Sequence, residues 1–134
     1  MPHLSPAIVE AVVVGAVLGS LADWLFAGIL FHDRYQTHPE IWRDGAGERG
    51  RIVAAQALAL LTSAVFILLA VELARTGLAA ASKLALAIWL IGPLPMLLAN
   101  HMFIKIDPRV TASHAVGWLV KLLLIATATA FFVR

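Results

Sequence analysis

The chain contains no cysteine, which excludes disulfides, thiolate-bound metal and thiol nucleophiles. Charge is scarce too: 13% of its 134 residues are Asp, Glu, Lys or Arg, against roughly 25% in an ordinary soluble domain. No basic run is present, and the net charge of +2 comes from loop arginines. That excess speaks to membrane topology and argues against a nucleic-acid partner. What fills the chain instead is apolar: 61% of residues, in runs of about 20. The partner implied is a lipid bilayer, and the length allows one small membrane domain covering residues 1–134. The N-terminus, Met-Pro-His-Leu-Ser-Pro, lacks a positive stretch and leads into a run too long for a signal segment. It reads as a retained span.

Four spans are predicted, at about 6–31, 51–75, 79–106 and 108–133, with an interfacial segment at 32–50. Each is long enough to cross a hydrocarbon core of roughly 30 Å. The fold class is therefore all-α, an integral membrane bundle of four transmembrane helices with antiparallel up-down topology. Ser5-Pro6 and Asp107-Pro108 are helix starts, with proline at the first helical position, and Thr76-Gly77 reads as a glycine cap closing the second span. Between the first two spans, His38–Arg43 can form one short turn carrying Trp42 into the headgroup region. In the third span, Pro93 and Pro95 remove N–H groups that the carbonyls of Trp89 and Ile91 would otherwise use, so a kink is expected there. Arg34, Arg43, Arg49, Arg51, Lys105 and Arg109 lie in the first and third loops, against Arg75, Lys83 and Arg134 opposite. This bias favours those loops in the cytoplasm and the termini outside.

Asp23 is the residue that does not belong in a plain span. It lies on a stripe of small residues, Ala11, Gly15, Gly19, Asp23 and Ala27, that recur every fourth position. Such a stripe marks close helix packing, so Gly15 and Gly19 are expected to serve either the bundle interior or a homo-oligomer contact. An intramembrane acid is costly, and by default it marks a functional site with a partner. Lys121 is the candidate partner. Asp23 stands about 13 Å beyond His32 and Lys121 about 10 Å beyond His114, at 1.5 Å per residue, which puts both near mid-membrane. Closer to the first and third loops, His32, Asp33, Asn100, His101 and His114 form an expected polar layer. His101 and His114 flank the third loop at equal depth, and whether they face each other depends on helix rotation. His114, Trp118 and Lys121 share one helix face.

These residues support three readings. Asp23, Asn100, His101, His114, Trp118 and Lys121 could bind or conduct a proton, an ion or a small polar solute, with a pH dependence near the ordinary histidine pKa of about 6.5. The chain could instead be an accessory or assembly subunit whose polar residues only hold helices together. In a third reading, His32, His101 and His114 bind haem or a divalent metal, joined by Asp33 or Glu40. No cofactor is the simplest expectation, since the spacing matches no dedicated metal motif. Catalysis is disfavoured: Ser63 and Ser82 have no histidine in a recognisable nucleophile arrangement.

Several segments carry a family likeness. Phe26-Ala27-Gly28-Ile29-Leu30-Phe31 with Trp42 downstream is similar to an aromatic-x-Gly-x-Leu-Phe segment followed by Trp. Pro95-Met96-Leu97-Leu98-Ala99-Asn100 is similar to a proline followed by Leu-Leu-x-Asn, and His114 to a polar position opening the last span. Together they resemble the domain of unknown function 1761 family of small bacterial four-helix membrane proteins. The chain departs from that pattern at Phe26-Ala27, where Trp-Tyr is usual, and at Ile29, where Pro is common. Asp23 and Lys121 match nothing in it. The resemblance implies fold and class only, and no activity; the expected location is a bacterial inner membrane.

Overall fold

A computed structural model of the chain describes residues 5–37, 39 and 45–133, and these are helical, with no strand among them. The helices are α1 (Pro6–Asp23), α2 (His32–Gln36), α3 (Glu48–Glu72), α4 (Leu78–Ile91), α5 (Pro93–Phe103) and α6 (Pro108–Phe132). A π-helical segment, Trp24–Leu30, continues α1. Four helical stretches are long and apolar enough to cross a membrane: Pro6–Leu30, Glu48–Glu72, Leu78–Phe103 and Pro108–Phe132. The turn expected over residues 38–43 lies outside the described residues, Pro39 apart, and so do Glu40 and Trp42.

Local chemistry sets most of the helix ends. The Ser5 hydroxyl accepts from the Ile8 N–H and Pro6 opens α1. The Asp107 carboxylate accepts from the Arg109 N–H at 2.7 Å and Pro108 opens α6. The second span differs from expectation at both ends. It starts at Glu48, capped by Gly47 in the left-handed region at φ 78°. It stops at Glu72, where Arg75 N–H donates to Ala70 O at 2.7 Å and Ala74 N–H to Val71 O at 3.0 Å. This pair of bonds is a Schellman closure, and its left-handed residue is Ala74, at φ 53°, and not Gly77. Gly77 has ordinary extended geometry and precedes α4.

The third span breaks at Gly92 (φ −116°, ψ −91°), one residue before the proline pair. Pro93 and Pro95 therefore fall in the first turn of α5, where an N–H has no carbonyl to serve within the helix. A Cβ at Gly92 would lie 3.1 Å from Ile88 O, so the bend is drawn tightest where the side chain is missing.

Spans one and four make the most extensive contact, span two packs on span one, and span three packs on span four. Spans two and three, although consecutive, make little contact with each other. The small residues explain the central pairing. A Cβ at Gly15 would sit 3.5 Å from Ile125 of α6 and only 2.5 Å from the Ser63 hydroxyl of α3. Ser63 in turn donates to Val12 O at 2.9 Å. Ala11, Phe66, Ile67, Leu122, Ile125 and Ala126 close the core around this crossing. Span three is fastened by the Trp89 indole, which donates to Ala115 O at 2.7 Å. Val17, Leu58 and other large apolar side chains face outward, as a bilayer requires.

Candidate functional site

The small-residue stripe of α1 stays buried through Gly19 and opens at Asp23. Lys121 sits midway along α6 and reaches across to that residue: its Nζ lies 2.5 Å from Asp23 Oδ2. Gly19 makes the reach possible, because a Cβ there would be 3.1 Å from Lys121 Cγ. The lysine stem thus lies over a missing side chain, and its ammonium emerges one turn further on, at the acid. The ammonium is also 4.4 Å from the centroid of the Trp118 ring, one turn back on α6. Carboxylate and indole together offset part of the cost of desolvating the charge.

The pair is asymmetric. The Lys121 side chain is 8% exposed and that of Asp23 is 52% exposed. Two cavities account for the difference. The larger, about 920 Å³, lies between span one and span two and is lined in part by Ser20, Asp23, His32, Gln36, Gln56 and His114. The smaller, about 230 Å³, lies between span one and span four and takes in Ser113, Trp118 and Lys121. Asp23, Ala27 and His114 line both, so they form the partition between the two spaces. The larger cavity extends to Gln36, Pro39 and Glu48, which places its mouth at the first loop.

Change in helix winding coincides with this opening. No residue of the π segment Trp24–Leu30 is buried, whereas six residues of α1 are. Phe26 packs across Gly117 of α6 (3.5 Å from a Cβ built there) and Trp24 lies against Gly28, 3.1 Å by the same measure. π-Helical winding is rare, and it recurs at functional sites because it re-aims side chains without ending the helix.

The other sequence candidates divide. His114 and Trp118 join Asp23 and Lys121, and His32 lines the larger cavity, where its Nε2 lies 2.9 Å from Gln36 Nε2. His101 does not join them. Its Nδ1 lies 3.3 Å from the Thr111 hydroxyl at the start of α6, and neither it nor Asn100 lines either cavity. Equal depth across the third loop does not bring His101 into the site, because the α5 rotation gives its ring to Thr111. Among the described residues, no group of three or more His, Asp or Glu side chains is placed to hold a metal ion. The proposed set of His32, His101 and His114 is therefore not assembled, and Glu40 lies outside the described residues. Gly15 and Gly19 are used up inside the chain, against α3 and α6.

Gln56 and Ser20 were not among the sequence candidates. The Ser20 hydroxyl donates to Gln56 Oε1 at 2.7 Å, fixing the wall between the first two spans. Gln56 carried a readable signal: it is the single polar residue in the run Ile52–Leu61. An intramembrane amide calls for a partner by the same reasoning that singles out Asp23.

No curated protein and no solved structure matches the chain. A family described as protein of unknown function (DUF1761) matches residues 10–130, a stretch that takes in Asp23, the π segment, Gln56 and Lys121. With nearly the whole bundle matched, this membrane protein belongs to that family.

Proposed function

We propose that the protein binds a small polar solute or ion in the cavity between spans one and two, with the Asp23–Lys121 pair as its charged floor. The observation that carries this reading is the asymmetry of the pair: a nearly buried ammonium holds a half-exposed carboxylate that lines both cavities. A bridge serving only helix register gains nothing from leaving its acid open. The volume of about 920 Å³ lies within the usual range of ligand pockets, roughly 300–1,000 Å³. His114 and His32 add imidazole nitrogens to the lining that can hydrogen-bond a bound solute. The arginine bias of the first and third loops supports a cavity that opens to the cytoplasm, with the termini outside and the chain in a bacterial inner membrane.

Cysteine labelling tests this reading on a clean background, because the chain has no cysteine of its own. Ala27→Cys and Ala55→Cys line the larger cavity, whereas Val17→Cys and Leu58→Cys face outward. N-ethylmaleimide reacts with hydrated thiolate, so in phosphatidylcholine nanodiscs the cavity pair should label and the outward pair should not. Equal protection of all four positions would mean a dry, closed pair and would leave Asp23 a structural residue.

A further inference from the structure

The lining of the larger cavity has a charge composition that selects among solutes. Two carboxylates face it among the described residues, Asp23 at the floor and Glu48 at the mouth, and no described lysine or arginine lines it. Lys121 and Arg51 both have partners of their own. Lys121 approaches Asp23 from the smaller cavity, and an Arg51 Nη1 donates to Ala46 O at 2.9 Å. Lys121 engages Asp23 through Oδ2, and a carboxylate can accept on both oxygens, so the half-exposed acid has a second acceptor oxygen.

The remaining wall sets neutral polar side chains such as Ser20 and Gln56 beside an apolar and aromatic stretch. Trp24 is 61% exposed and stands in the lining beside Ala27, Ile52 and Ala55. An indole face next to carboxylates attracts cations, most strongly where water is thin. A small inorganic cation would keep its hydration shell and make little use of this wall. An anion would meet two carboxylates, and the ammonium beside them, Lys121, is already engaged by Asp23 from the smaller cavity.

We propose that the ligand is a monovalent organic cation with an apolar body, its charge attracted by the carboxylates of Asp23 and Glu48 and its body against Trp24. This rests on the solute-binding reading given above and names the class of solute.

Tetraphenylphosphonium and tetraphenylborate share size and shape and differ in sign, so they isolate the charge question. In nanodiscs of phosphatidylcholine, tetraphenylphosphonium should slow N-ethylmaleimide labelling of Ala55→Cys saturably, and tetraphenylborate should not. Glu48→Gln, at the exposed start of α3, should weaken that protection by about three- to tenfold, the size of one lost charge contact at partial exposure. Asp23→Asn combined with Lys121→Met removes both charges of the pair without leaving a lone ammonium, and should weaken it by about tenfold or more. Protection by tetraphenylborate equal to that by tetraphenylphosphonium overturns the proposal, as does an unchanged response in Glu48→Gln. If Ala55→Cys labels and neither ion protects it, the organic-cation assignment fails while the hydrated site stands. If Ala55→Cys does not label at all, the solute-binding reading itself fails.

Discussion

Breaking the Asp23–Lys121 pair from its two sides should have unequal consequences for stability. Asp23→Asn leaves the Lys121 ammonium, 8% exposed, without its carboxylate. Stranding one partner of a fully buried pair costs about 3–5 kcal/mol. Two features reduce that figure: the Trp118 ring remains 4.4 Å from Nζ, and the smaller cavity of about 230 Å³ has room for several waters at roughly 30 Å³ each. A destabilisation of about 2 kcal/mol is expected. Lys121→Met keeps the stem over Gly19 and strands a carboxylate that is 52% exposed and lines both cavities. With water available, that loss falls toward the surface range of about 0–1 kcal/mol. The double substitution should cost less than the sum of the two, by about 1 kcal/mol or more, because no charge is left stranded. Sodium dodecyl sulfate titration of bicelle-reconstituted protein, read by tryptophan fluorescence, measures all three. A Lys121→Met penalty equal to or above that of Asp23→Asn would refute the argument, since it would mean that the carboxylate sits in lipid or dry protein. Additive single effects would refute the pairing.

Three further outcomes follow from the packing. Gly15→Ala would place a Cβ 2.5 Å from the Ser63 hydroxyl, and overpacking of this kind costs about 1–3 kcal/mol; Ser63→Ala in the same chain should recover much of it, as the titration would show. Trp89→Phe removes the indole bond to Ala115 O and should cost about 1 kcal/mol, loosening span three on span four without altering cysteine labelling at Ala27. Ala74→Gly relieves a left-handed alanine and should stabilise the protein by about 0.5–1 kcal/mol, whereas Gly77→Ala, at φ −66°, should not destabilise it.

How far the sequence could lead depended on which coordinate of a helix was asked for. Position along the axis is counted in residues, so the four spans, the break in span three and the similar depth of Asp23 and Lys121 could all be read. Rotation about the axis is set by packing. Asp23 was readable in rotation as well, because the small-residue stripe says which face packs. His101 had no such stripe to orient it, and α5 turns it to Thr111. Ala74 shows a second limit: a left-handed cap is expected at glycine, and here an alanine takes that position at φ 53°.

The π segment belongs to neither coordinate, and it determines what Asp23 can do. Through Gly19 the α-helical period returns a small residue to the packed face every fourth position, so α1 stays pressed on α3 and α6. From Trp24 the wider winding breaks that return, and no residue up to Leu30 is buried. Asp23 is the last residue before the change. It therefore faces a close-packed half, from which Lys121 reaches it, and an open half, from which the larger cavity reaches it. An acid placed a turn earlier would be sealed with its lysine, and one placed a turn later would have no lysine within reach. The pair is held at the one level of the span where a charge can be both compensated and accessible, and this is why a binding role accounts for its position better than a register-fixing bridge does.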